Sequence, residues 1–199
     1  MLIANIFQRQ NRPDDAMAAY VEMRNRFKGD KRTAEATYHL AELTLQSKRK
    51  DKNEAAIKVL GDLVNEYPDS SWAPRALSTK AGVEEREKIK QTDSVLGMPV
   101  PAALVTNRFL VERYPTSDGA EAALVKLADL YDNLKRYDLE AKSLEDLGAR
   151  FPSTRYDVWW NLGELYEKKV KDRDKARDAY RRVPSTSPRY KDAQKRIAK

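Results

Sequence analysis

The amino-acid sequence predicts an all-α fold, a right-handed α-α superhelix of about five helix pairs followed by a C-terminal helix. Two observations support this prediction. Apolar and small residues recur at helical spacing in successive segments, and four segments end in an aromatic residue followed by turn-forming residues. These stops begin at Phe27, Tyr67, Tyr114 and Phe151, which are 40, 47 and 37 residues apart. Because proline cannot continue a helix and a following Asp, Ser or Thr can cap the next one, the stops separate repeats.

The bounds of the predicted repeats follow from these stops. We assign the repeats to residues 1–30, 31–70, 71–117, 118–154 and 155–187, with a terminal helix at 188–199. Ile3 and Phe7 match the middle of a first helix, whose start is missing. We therefore expect one solenoid domain that belongs to a larger protein or assembly. The terminal helix is interpreted as a polar cap, with the start of a further repeat as the alternative.

The last repeat carries the clearest motif. It reads W-x2-L-G-x2-Y followed by A-x3-Y, at Trp159, Leu162, Gly163, Tyr166, Ala176 and Tyr180. The apolar positions of its first helix share one face. Gly163 leaves room for a close second helix, and Tyr180 fills the space beside that contact. The motif resembles the tetratricopeptide repeat, and residues 122–131 and 38–41 repeat its first-helix pattern.

One repeat departs from the motif. Lys80 and Glu84 stand where Leu and an aromatic residue are expected, and we expect Lys80 to extend to solvent. Charged residues through Lys90 predict a helix that continues beyond the stack. Gly97 and the prolines after it predict an irregular return. For the insertion at 86–101 we favour a plain loop over a binding element.

The composition indicates thin apolar seams between helices instead of one thick core. Charged residues make up 35% of the chain, which has seven glycines. No apolar run approaches the ~20 residues that a membrane span needs. The sequence contains no cysteine, which excludes disulfides, thiolate zinc sites and cysteine nucleophiles.

Positive charge is concentrated near the C-terminal end. Residues 168–199 hold 13 Lys and Arg against four Asp, a net of +9, and the whole chain carries +7, so residues 1–167 sum to −2. Such a density can attract phosphate or acidic partners. Binding of nucleic acid by this end is the alternative function, although no aromatic pattern of a single-strand binder accompanies the charge. The simplest interpretation is a solvated face.

The tetratricopeptide resemblance also implies a binding surface. In that family the first helix of each repeat lines a concave groove. The residues that line it stand two and five positions before and after the Leu of the Leu-Gly pair. Around Leu40, Leu127 and Leu162 these positions are mostly acidic, and the candidates are Glu35, Tyr38, Glu42, Asp129, Asp132, Asp157, Trp160, Glu164 and Glu167. We expect a protein or peptide partner that is basic and has an apolar anchor. The alternative is an exposed acidic face that binds nothing.

Trp160 is the large aromatic candidate of the last repeat. Because Trp159 lies on the packing stripe, the helical step of about 100° turns Trp160 outward. There it would be an interface hot spot. The competing expectation is that Trp160 packs on the second helix of the preceding repeat.

Catalytic chemistry has little support in the sequence. The only histidine, His39, shares a helix face with Glu35 and Glu42, but a second histidine and the H-E-x-x-H pattern are absent. A Gly-rich phosphate loop is also absent, and no carboxylate pair is set in apolar surroundings. We therefore predict a non-enzymatic scaffold without a metal or cofactor. An enzyme would need a catalytic residue outside this chain.

Residues 67–77 indicate a subgroup. Their pattern, Y-P-D-S followed by A-P-R-A-L, is similar to repeats in bacterial cell-envelope proteins, such as outer-membrane assembly lipoproteins and the periplasmic partner of the Tol system. The resemblance implies a bacterial interaction protein of the periplasm or cell envelope. The sequence has no lipobox cysteine for an anchor.

Overall fold

The structure, a computed structural model, describes residues 1–198 and is built almost entirely of α-helices. The first six helices are α1 Leu2–Arg9, α2 Pro13–Arg26, α3 Lys31–Gln46, α4 Lys52–Glu66, α5 Trp72–Arg86 and α6 Ala102–Arg113. The other five are α7 Asp118–Asn133, α8 Tyr137–Arg150, α9 Val158–Glu164, α10 Arg173–Arg181 and α11 Tyr190–Ile197. The predicted all-α helical-repeat fold is confirmed. The chain forms two compact units, Met1–Leu110 and Val111–Lys199.

In the first unit, each helix from α1 to α4 packs against the next one along the chain. The buried side chains between α1, α2 and α3 are Ala4, Ala16, Tyr20, Ala36, Leu40 and Leu43. The alanines among them keep the helices close, because they place only a methyl group at the contact. Charge also joins α2 to α4, where Arg24 donates to Asp62 at 3.0 Å and to Glu66 at 2.8 Å.

The insertion of the third repeat folds into a β-hairpin, so the predicted irregular loop is wrong. Helix α5 ends at Arg86 instead of continuing through Lys90, because Lys88 turns into the left-handed region at φ 53°. Strands β1, Lys90–Asp93, and β2, Met98–Pro101, then pair antiparallel. The buried Asp93 carboxylate anchors the hairpin by accepting two bonds from Arg108, at 2.8 and 2.9 Å. These bonds hold the pKa of Asp93 below its usual value.

The unusual polar pair of the third repeat lies within the first unit, where Glu84 is buried and Lys80 is partly buried. The Lys80 Nζ lies 2.5 Å from a carboxylate oxygen of Glu84 and 2.9 Å from the Thr106 hydroxyl oxygen. Thr106 donates in turn to the other oxygen of Glu84 at 2.7 Å. Glu84 is only 4% exposed. The prediction that Lys80 extends to solvent is therefore wrong, because the ion pair replaces the Leu and aromatic contacts of an ordinary repeat.

In the second unit, α7 packs on α8 and α8 on α9, and α9 continues as a π-helical segment over Leu165–Val170. Helix α10 packs against α9 at the predicted close contact. A Cβ on Gly163 would lie 2.4 Å from the Tyr180 ring, so only glycine fits there. Helix α11 covers α10 with the fully buried Ala193.

Candidate functional site

Helix α3 gathers the predicted site residues of the first unit on one face. Glu35, Tyr38, His39 and Glu42 recur at the spacing of three and four residues that places side chains on one side of a helix. The Nδ1 of His39 lies 2.8 Å from a Glu42 oxygen, and its Nε2 lies 3.8 Å from a Glu35 oxygen. The side chains of Glu35 and Glu42 are 38% and 42% exposed, so both carboxylates remain accessible to a partner.

Aromatic rings of α2, α3 and α5 pack around His39, the side chain that lies beside both carboxylates. The ring centroid of His39 lies 5.9 Å from that of Tyr20 on α2 and 5.4 Å from that of Trp72 on α5. Tyr38 lies 5.1 Å from Trp72. The pKa of Tyr20 is raised, first by burial and then by the negative charge of the two α3 carboxylates. We call Glu35, Tyr38, His39, Glu42 and Trp72 together the α3 face.

The α3 face already holds one cation of this chain. The guanidinium of Arg75 lies over the Trp72 ring, 5.2 Å from its centroid. Carboxylates beside aromatic rings suit Lys and Arg, because an ion pair and a cation–π contact can act on the same group. The face is thus suited chemically to a basic segment, as the sequence predicts for Glu35, Tyr38 and Glu42.

The predicted carboxylates of the second unit are mostly occupied by side chains of the same unit. The pairs are Asp132 with Lys169, Asp157 with Ser187, Glu164 with Lys168, and Glu167 with Arg196. The Tyr180 hydroxyl donates a further bond to Glu167, at 2.8 Å. Asp129 is exposed on α7. This half of the predicted acidic surface is therefore largely neutralised by the basic C-terminal segment.

Trp160 does not point outward, and that expectation is wrong. It is only 7% exposed, with its ring centroid 5.3 Å from that of Tyr180. Trp159 packs instead on α8, where a Cβ on Gly148 would lie 2.5 Å from its indole ring. Helix α9 has a neighbour on each side, α8 and α10. Because consecutive residues of a helix differ in direction by about 100°, Trp159 lies on the face toward α8 and Trp160 on the face toward α10.

The sequence analysis missed a buried carboxylate, Glu140 on α8. It is 8% exposed, and among the described residues its Oε2 has no hydrogen-bond partner. Burial raises the pKa of Glu140 to about 7, although Lys169 lies 3.8 Å from its Oε1. A signal existed, because Leu144 and Leu147 follow at four and seven residues, which places Glu140 on the packed face.

The described residues form neither a metal-binding cluster nor a membrane-spanning helix. Within residues 1–198, no group of three or more His, Cys, Asp or Glu side chains is arranged to hold a metal ion. None of the helices in that part of the chain has the length and apolar character that crossing a membrane requires. The predictions of no catalytic activity and no cofactor stay predictions.

These features define a helical-repeat protein. The profile of the tetratricopeptide repeat family matches residues 35–70, 122–154 and 157–189, about half of the chain, so the chain belongs to that family. The predicted family is confirmed, and the divergent third repeat falls outside the three matches. Tetratricopeptide repeats are protein-interaction scaffolds, and the chain is assigned to that class.

Solved structures agree on the fold. The chain resembles MamA, with a TM-score of 0.55, 18% identity and coverage of 100% of this chain and 96% of that one. It also resembles a tetratricopeptide repeat protein from Parabacteroides merdae, with a TM-score of 0.56, 12% identity and coverage of 98% and 68%. It resembles MamA of Desulfovibrio magneticus RS-1 as well, with a TM-score of 0.51, 17% identity and coverage of 91% of this chain and 89% of that one. No curated protein sequence matched significantly.

Proposed function

We propose that this chain is a protein-interaction scaffold whose α3 face binds a basic partner segment with an apolar or aromatic anchor. The observation that carries the proposal is the half-exposed carboxylate pair, Glu35 and Glu42, set beside aromatic rings from three helices. The second unit supports this role less well, because most of its predicted carboxylates are paired within the unit.

The energetics favour a combined contact over charge alone. Exposed ion pairs contribute only about 0–1 kcal/mol each. A cation held over an aromatic face adds about 0.5–2 kcal/mol, depending on its desolvation. The partner should therefore place Lys or Arg beside Glu35 or Glu42 and an apolar side chain near Trp72.

The test is a titration with a defined peptide. A labelled twelve-residue peptide of alternating Lys and Leu with one Trp is titrated with the protein, and binding is followed by fluorescence anisotropy. Glu35→Lys combined with Glu42→Lys should lower the affinity at least tenfold. The matched control, Asp14→Lys combined with Glu54→Lys, makes the same charge change at exposed positions of the first unit. Equal losses in both variants, or no binding by the wild type, would contradict the proposal.

We also propose, from the resemblance of residues 67–77, that the parent protein acts in the bacterial cell envelope. Fractionation of cells that produce the native protein tests this. Recovery in the periplasmic or envelope fraction supports the proposal, and recovery in the cytosol alone contradicts it.

A further inference from the structure

The second unit contains a basic cavity of about 730 Å³. It lies between the π-helical segment, α10 and α11. Five of its lining side chains are cations, namely Lys168, Lys171, Arg173, Arg177 and Arg196. The rest of its lining is Glu167, Ala176 and Tyr180. We call this cavity the basic pocket, and its charge is opposite to that of the α3 face.

The local backbone explains how the cations converge. Lys171 ends the π-helical segment in the left-handed region at φ 65°, which reverses the chain and starts α10 beside it. Arg173 and Arg177 are four residues apart on α10, so both lie on the same side of that helix. Arg196 arrives from α11. The pocket is thus built from three elements and is not one charged helix face.

The charges in the basic pocket are not balanced. Three of its cations have carboxylate partners, in the pairs Lys168 with Glu164, Arg177 with Asp174, and Arg196 with Glu167. Lys171 and Arg173 have no carboxylate within ion-pair distance among the described residues. One Nη of Arg196 lies 2.8 and 2.9 Å from the two oxygens of Glu167, so the pocket already holds a carboxylate.

We infer that the basic pocket binds an acidic segment of a protein partner, whose carboxylates pair with Lys171 and Arg173. The volume lies in the range of cavities that hold whole ligands, which leaves room for several side chains. A nucleic acid is disfavoured, because the only aromatic lining residue, Tyr180, is 2% exposed and offers no platform for base stacking. The basic pocket belongs to the second unit and the α3 face to the first, and the two take ligands of opposite charge.

The experiment uses the full chain and a labelled ten-residue peptide of alternating Glu and Gly. Anisotropy titrations at low and physiological salt give the affinities. Lys171→Glu combined with Arg173→Glu should weaken binding at least tenfold. Lys171→Asn combined with Arg173→Gln should weaken it about threefold or more, since this milder pair removes charge without reversing it and Asn tolerates the left-handed conformation.

The control is Lys175→Glu combined with Lys191→Glu, which makes the same charge change outside the basic pocket. This variant should bind within threefold of the wild type, and circular dichroism confirms that all variants fold. Equal weakening by the control would overturn the inference, as would tighter pocket-dependent binding of a single-stranded oligonucleotide or inorganic pyrophosphate. No binding of the acidic peptide would overturn it too. The Glu35→Lys and Glu42→Lys variant should bind this peptide normally, which separates this test from that of the α3 face.

Discussion

Replacing Gly163 by alanine tests the close contact between α9 and α10. The added Cβ would lie 2.4 Å from Cε1 and 2.5 Å from Cδ1 of Tyr180. These are ring atoms of a side chain that is 2% exposed, and its neighbour Trp160 lies 5.3 Å away between centroids. The ring cannot move aside without also disturbing the bond from its hydroxyl to Glu167. The helix itself must therefore shift.

The expected change in the free energy of unfolding follows from two losses and one gain. Overpacking of a core costs about 1–3 kcal/mol, and a weakened hydrogen bond adds about 1 kcal/mol. Alanine in a helix recovers about 0.5–1 kcal/mol relative to glycine. The net loss for Gly163→Ala is about 2 kcal/mol. In a unit of this size that lowers the melting temperature by about 10 °C.

Thermal and urea denaturation followed by circular dichroism measures this loss. The matched control is Gly82→Ala, an exposed position on α5 with no atom within 4 Å of the added Cβ. It should gain about 0.5–1 kcal/mol. Gly148→Ala should fall between the two, because the Trp159 ring that it meets is partly exposed and can move. If Gly163→Ala is as stable as Gly82→Ala, the close-contact reasoning is refuted.

Three further predictions concern the buried charges. Burial raises the pKa of Glu140 from 4.5 to about 7, so the stability of the wild type should fall as the pH rises through that window. The fall should be of the order of 2 kcal/mol after allowance for solvent screening. Glu140→Gln should abolish it, as measured by urea titrations at pH 5 and 7.5. Because the pKa of Asp93 is lowered, its ion pair with Arg108 stabilises the fold above about pH 4, and this stabilisation is lost as the pH falls through the folded pKa. Asp93→Asn should lower the free energy of unfolding by about 2–4 kcal/mol at pH 7. Thermal denaturation of this variant from pH 2 to 6 should not show the loss of stability at acid pH. Lys80→Leu should cost about 3 kcal/mol in urea denaturation, because it leaves the buried charge of Glu84 with the Thr106 hydroxyl but no cation. Adding Glu84→Tyr should recover most of that loss.

The last repeat shows how much of the fold local spacing can predict. The distance along the chain from Gly163 to Tyr180 is set by two helices and a short turn, so the glycine and the ring meet wherever both helices form. The hairpin of the third repeat could not be predicted in this way. Its anchor joins Asp93 to Arg108, which are 15 residues apart, and the preceding charged residues suit an exposed helix equally well.

The candidate site residues show the same difference between features set by local spacing and features set by packing between helices. The α3 face follows from a spacing of three and four residues on one helix, so Glu35, Tyr38 and Glu42 do share a surface with His39. The burial of Trp160 depends on α9 having a neighbouring helix on each side. Helical periodicity within one helix does not predict how many neighbours that helix has. Glu140 shows the same limit, because its apolar surroundings come from packing between helices.

The sequence by itself determined the family, the helical repeats and the sign of the charge in each segment. These depend on residue type and on spacing within one helix or one helix pair, and both are local. Only the tertiary structure decided which carboxylates remain available, because long Lys and Arg side chains of the C-terminal segment reach back to neutralise Asp132 and Glu167. It also decided that Lys171 and Arg173 face a cavity without such partners. Pairing of charges depends on distances between helices, and those arise only when the repeats pack.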